Sequence, residues 1–245
     1  MHKKILALLL ALLLLLTLAA CKPTPDDGPT DPTDPETPAG PQEPEDTLLN
    51  SGSISGTDIT WEVHTDRVLY VKGSGALPDY DIPNDQPWYE HGGKTGVERS
   101  DKEGGSVLVT RIVIGEGITA LSENAFRDFQ PLVSVSLPST LQVIPFKCFA
   151  ECPNLREVTG GTGVTVIESE AFRSCASLER VMLSPLLTKV EDSAFGDVIP
   201  NNSSRQLKLN IEGTAAAWQT ALDVMSIGLD NDAFRQATTT FSKEQ

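Results

Sequence analysis

From residue 109 onward the apolar positions fall into columns. Phe126, Phe149, Phe172 and Phe195 are each 23 residues apart. The same step carries Leu121 to Ile144, Ile167 and Val190, Ile112 to Val135, Val158 and Val181, and Ile118 to Leu141, Val164 and Leu187. Ala125, Cys148, Ala171 and Ala194 form a further column, as do Leu132, Leu155 and Leu178. Within a unit, apolar and polar residues alternate over Ser134–Leu137, pass a turn containing Gly or Pro, and reach a second short, largely apolar run over Leu141–Ile144. These runs predict two short half-buried strands, and the stretch around each Phe reads as a short helical segment. One such unit has no second layer against which to bury its apolar side, so the units must stack. The pattern predicts a β-rich α/β repeat: a solenoid of about four 23-residue coils over residues 109–212.

On the amino-terminal side, Thr60–Val63 and Leu69–Val71 alternate around His64-Thr65-Asp66 and read as a β-hairpin. Residues 51–108 are therefore expected to be an N-terminal cap and loop. On the other side, Thr214 is a suitable N-cap for a helix running to Leu222. Trp218, Ala221, Leu222 and Met225 share one face of it, which predicts a lid over the last coil. Residues 213–245 are expected to form this C-terminal helical cap, with no clear pattern after residue 230.

The first 50 residues follow other rules. His2, Lys3 and Lys4 precede an unbroken apolar run from Ile5 to Leu16. Twelve helical residues reach ~18 Å against a ~30 Å hydrocarbon core, so residues 1–20 read as an export signal rather than a membrane span. Residues 22–50 hold eight of the seventeen prolines, and eight acids against one Lys. Proline at nearly every third position favours an extended stalk, which mutual repulsion of the acids lengthens further. Leu18-Ala19-Ala20-Cys21 resembles a bacterial lipobox, which implies cleavage before Cys21 and acylation of it. In that family Lys22, rather than Asp, after the cysteine implies an outer-membrane lipoprotein. Residues 21–50 are thus expected to be a lipidated Cys followed by the stalk. Asp46-Thr47-Leu48 resembles an acceptor for bacterial O-glycosylation, on three residues only.

Leu132-Val-Ser-Val-Ser-Leu-Pro138, Ala171-Phe172-Arg-Ser-Cys175-Ala-Ser-Leu178 and Ser193-Ala194-Phe195 resemble the BspA-like leucine-rich repeats of bacterial surface proteins. The stretch from Thr60 to Tyr89 resembles the N-terminal cap of that family, so the likeness covers about residues 51–215. Gly160 departs from the pattern where a core Leu is expected, and Phe129 and Val198 replace its Cys. The resemblance implies a leucine-rich-repeat fold and a role in adhesion to host or neighbouring-cell surfaces.

The chain carries 34 acidic and 19 basic residues, a formal charge of −15. That balance argues against a nucleic-acid binder, because affinity for a phosphate backbone comes mainly from clustered Lys and Arg. Cys148, Cys152 and Cys175 remain after Cys21 is lipidated, and they read as small buried fillers with free thiols, the alternative being a disulfide between Cys152 and Cys175, which share a column one coil apart. His64 and His91 lie apart from them, which argues against structural zinc. No Gly-x-Ser-x-Gly, His-Glu-x-x-His or P-loop pattern is present. No catalytic residue, metal ligand or cofactor is assigned, and the chain is not expected to be an enzyme.

What remains is a surface. On the first strand of each unit Val113, Ser136, Thr159 and Met182 should point outward, flanked by Arg111, Ser134, Glu157 and Arg180. Thr119, Gln142, Thr165 and Thr188 form a polar row on the second strand, and Phe146 places an aromatic where other units are polar. The expected binding face comprises Val113, Ser136, Thr159, Met182, Arg111, Arg180 and Phe146. Four strands offer only ~300 Å² against ~800 Å² per partner in a standard interface. Binding by a monomer to a cell-surface protein or glycan is therefore expected to be weak and multivalent. The alternative is an accessory envelope lipoprotein docking on another outer-membrane protein or uptake complex.

Overall fold

The computed structural model of the protein describes residues 46–80, 85–92, 108–198 and 204–243, all within the compact unit Pro44–Gln245. The export signal, Cys21, most of the stalk and most of the loop after His91 lie outside the described residues. The chain opens with three antiparallel strands, β1 (Leu48–Ser53), β2 (Thr60–His64) and β3 (Val68–Lys72). β1 begins within the segment expected as stalk. The hairpin β2–β3 sits where the alternation placed it.

The first strands of successive units are β5 (Arg111–Ile114), β7 (Ser134–Leu137), β9 (Glu157–Gly160), β11 (Arg180–Leu183) and β13 (Lys208–Ile211). They stack in parallel and in register, Ile112 beside Val135, Val135 beside Val158, and Val158 beside Val181. β3 pairs parallel with β5, and a last strand β15 (Thr238–Phe241) pairs parallel with β13. The hairpin and the repeats thereby share one nine-stranded sheet, ordered β1-β2-β3-β5-β7-β9-β11-β13-β15.

The second strands are shorter. β8 (Val143–Ile144), β10 (Val166–Ile167), β12 (Lys189–Val190) and β14 (Ser226–Ile227) form a four-stranded parallel sheet. β4 (Gly75–Ala76) and β6 (Ile118–Ala120) form a separate pair. Inward residues of both strand sets and the Phe column fill one core.

That core has an aromatic spine. Phe126, Phe149, Phe172 and Phe195 stack with ring centroids 5.3–5.6 Å apart and planes within 21° of parallel. Trp88 extends the stack at one end and Phe234 at the other, each at 5.3 Å. Such separations suit offset stacking rather than an eclipsed sandwich. The Trp88 indole N–H is satisfied by the Ala125 carbonyl at 3.0 Å.

The helical segments expected around each Phe are turns instead. Donors there alternate: Arg127 N–H bonds back to Asn124 O, whereas Asn124, Phe126 and Asp128 donate to Phe146, Cys148 and Ala150 of the next unit. An α-helix would keep those donors within its own turn. Two residues per unit adopt left-handed backbone to achieve this, Lys147 and Glu151 in one unit and Glu170 and Ser174 in the next, with φ of 53–60°. Positive φ is uncommon for residues other than Gly, and here the stacking bonds on either side hold it in place.

The expected lid is also placed differently. α1 (Ala215–Val224), capped by the Thr214 hydroxyl accepting from Ala217 N–H at 3.2 Å, lies between β13 and β14 and so belongs to a further unit. It buries Trp218 and Ala221. After it, α2 (Asp232–Arg235) carries Phe234 into the spine before β15 closes the sheet.

Candidate functional site: the outer face of the long sheet

The strand register aligns outward residues into two rows. One runs Ser51, Glu62, Tyr70, Val113, Ser136, Thr159, Met182, Asn210 and Thr240. Its members are half-buried except for Ser51 and Thr240, which are exposed. From Tyr70 to Thr240 it carries no charge. The second row runs Arg111, Ser134, Glu157, Arg180, Lys208 and Thr238. Six of the seven expected face residues thus lie on this sheet, in two adjacent rows.

Phe146 does not. It follows β8 at the turn stack, where its amide donates to the Glu168 carboxylate at 2.9 Å and the Lys147 ammonium sits 4.7 Å from its ring centroid. Sequence reasoning missed Tyr70, Asn210 and Thr240 as members of the face, although the alternation in Leu69–Val71 signalled the strand that carries Tyr70. With eight spacings between nine strands the face measures ~38 Å across, and at ~13 Å for four residues of strand it covers ~500 Å² in projection, more than the four-strand figure.

The amino-terminal rim of the face is charged. Arg180 Nε lies 2.8 Å from Glu157 Oε1. Glu179 is approached by three guanidinium groups, from Arg156 at 3.2 Å, Arg180 at 3.8 Å and Arg205 at 4.0 Å. The carboxylates beside Arg180 hold its guanidinium above the ordinary arginine range, the Glu157 bond contributing most.

Beside the hairpin, both His64 ring nitrogens face carboxylates, Nδ1 to Asp46 at 2.8 Å and Nε2 to Glu62 at 3.1 Å. Glu62 also takes Lys72 Nζ at 2.6 Å. The Glu62 bond first, and then that to Asp46, raises the His64 pKa against the desolvation that would lower it. Lys72 and His64 in turn lower the Glu62 pKa.

Two members of the polar row on the second strands are engaged in stacking. Thr165 and Thr188 hydroxyls donate to the Gln142 and Thr165 carbonyls one unit back, at 3.2 and 3.0 Å. Cys148, Cys152 and Cys175 are buried free thiols. Cys152 and Cys175 donate to the Phe126 and Phe149 carbonyls of the preceding unit at 3.2 and 3.1 Å. Burial pushes all three thiols up, Cys175 to about 12. A thiol that does not ionise is a poor nucleophile and metal ligand. Gly160 stands where a Leu would overfill the backbone: its φ is 72° and a Cβ would collide with the Leu137 carbonyl.

A family match agrees with the repeat architecture. Residues 105–210 match the family described as BspA type leucine rich repeat region, in six copies. Among solved structures, a leucine-rich repeat protein from Eubacterium ventriosum is 19% identical at a TM-score of 0.47, covering 68% of this chain and 44% of that one. A leucine rich cell surface protein from Faecalibacterium prausnitzii is 18% identical at 0.42, covering 72% of this chain and 42% of that one. The chain therefore spans less than half the length of either protein. No curated protein matches it. Residues 105–210, which hold the stacked parallel units between the hairpin and the last strands, are thus a BspA-type leucine-rich-repeat region.

Proposed function

We propose that the protein is a lipid-anchored binding module that meets a host or neighbouring-cell protein or glycan through the outer face of its nine-stranded sheet. In this reading residues 1–20 direct export, Cys21 carries the anchor, and the Pro-rich segment holds the repeats away from the membrane. The observation that carries it is the uncharged outward row from Tyr70 to Thr240, which is continuous across hairpin and repeats. An uncharged sheet face of ~500 Å² suits shallow contact rather than enclosure of a small molecule, since ligand pockets are concave and mostly apolar. It is smaller than the ~800 Å² each partner gives to a standard complex, so many anchored copies would act together.

Two experiments test this. Protease added to intact cells should digest the repeats without lysis, and a Cys21→Ala chain should leave the membrane fraction. Protection until lysis would turn the search to envelope partners. Beads coated with the full chain should adhere to cells or matrix, and Ser136→Trp with Thr159→Trp, both half-buried on the face, should abolish adherence while leaving circular dichroism unchanged. Full adherence by the double variant would sink the face reading.

A further inference from the structure

Cations are not spread evenly over this acidic chain. At the turn stack and on the second sheet they are matched by acids, Arg127 by Glu151, Arg173 by Glu170 and Asp197, and Lys189 by Glu191. The rim of the sheet face is the opposite. Among the described residues Arg111, Arg156, Arg180 and Lys208 gather there, and the carboxylates that Arg156 and Arg180 approach are Glu157 and Glu179. The side chains of Arg111 and Lys208 have no hydrogen-bond or ion-pair partner among the described residues, and both residues are exposed. Arg156, Arg180 and Arg205 keep 41–59% of their side-chain surface in water.

From β5 to β13 the strip crosses four strand spacings, about 19 Å. A domain of strongly negative charge thus holds, on one edge of its candidate binding face, a line of cations in excess of their local partners. Guanidinium groups bind carboxylates and sulfates through paired donors. Alongside lies the uncharged row, with the hydroxyl and amide groups of Ser136, Thr159 and Asn210 and the ring of Tyr70. Cations beside neutral hydrogen-bonding groups complement a polymer that alternates acidic groups with hydroxyls.

We infer that the sheet face binds a polyanionic glycan, its sulfate or carboxylate groups on the Arg111–Lys208 strip and its hydroxyls on the uncharged row. This rests on the binding-face reading above and names its ligand class. The glycan lies across the strands, not along an edge as an added peptide strand would.

The test uses the full chain and immobilised heparin as the sulfated glycan, with polyglutamate as acidic peptide and dextran as neutral glycan. The chain should bind heparin despite its net charge of −15, with affinity that falls steeply as salt rises. Arg111→Gln with Lys208→Gln removes no contact from the fold and should weaken heparin binding about tenfold. Arg127→Gln with Lys189→Gln changes the net charge equally and should leave binding within about twofold, because exposed charges beyond a Debye length are screened. No heparin binding, equal loss in both pairs, or equal binding to polyglutamate or dextran would each overturn the inference. If the Arg111/Lys208 variant adheres to cells as the parent does while Ser136→Trp with Thr159→Trp does not, this inference fails and the face reading stands. Loss of adherence in neither variant sinks the face reading itself.

Discussion

Phe172→Ala should be among the most damaging single changes in the repeats. The ring is fully buried and lies between Phe149 at 5.6 Å and Phe195 at 5.3 Å, with planes 8° and 21° from parallel. Truncating a buried Phe costs about 3–5 kcal/mol. Stacking contributes about 0.5–1.5 kcal/mol per ring pair beyond simple burial, so this position should lie at the upper end. Phe172→Leu keeps most of the volume and loses mainly the stacking, for a cost of about 1–3 kcal/mol. Because each unit touches only its neighbours, weakening one interface also threatens to uncouple the units on either side. Urea unfolding followed by circular dichroism should therefore show a lower midpoint for Phe172→Ala, with a shallower or split transition. A double-mutant cycle on Phe149 and Phe172, each changed to Leu, should give a coupling of about 0.5–1.5 kcal/mol. Phe126 and Phe195, separated by two intervening rings, should be additive within about 0.5 kcal/mol. A cost for Phe172→Ala below about 1.5 kcal/mol, or equal coupling in both cycles, would refute a continuous spine.

Gly160→Leu would restore the repeat pattern yet should destabilise the chain by about 2 kcal/mol or more, read as a lower melting temperature, since positive φ and the Leu137 carbonyl both oppose a side chain. Cys148, Cys152 and Cys175 should resist a thiol-specific reagent in the folded chain and react together once denaturant exposes them, because burial suppresses their ionisation. His64 has a raised pKa when folded, so its bonds to Glu62 and Asp46 stabilise fully below about pH 6.5 and fade as pH rises through the folded value. Melting of the parent against His64→Gln should show a difference of up to about 1 kcal/mol at pH 5.5 that shrinks by pH 8.5. A difference that grew with pH would reverse the assigned charge state.

The repeats were legible in the sequence because stacking repeats the environment of a side chain. Phe126 to Phe195 occupy equivalent places, so the same residue type recurs at the same step. The left-handed turns were not legible, because Asn124, Lys147, Glu170 and Ser193 share a backbone conformation but no side-chain chemistry. What holds them is the alternation of amide donors between a unit and its neighbour, a property of the main chain. The last unit was hidden for another reason. Phe234 continues the spine but stands 39 residues after Phe195, outside the period. The face was read in part: the rows on the repeats followed from alternation, whereas their extension onto the hairpin depends on β3 pairing with β5. The cation strip escaped notice because Arg156 and Arg205 precede their strands and break the outward column.

That last unit also shows where the coil can stretch. Nine residues separate Val181 from Val190, whereas eighteen separate Leu209 from Ile227, their partners in the next layer. The surplus is taken up by α1, and yet both strands and the Phe column stay in line. The arc between the first and second strands is thus a tolerant splice point, at which length can change without disturbing the neighbours. Foreign loops grafted after Leu137, Gly160 or Leu183 should be displayed at ~5 Å intervals along one flank, making the repeat a ruler for spacing inserted epitopes.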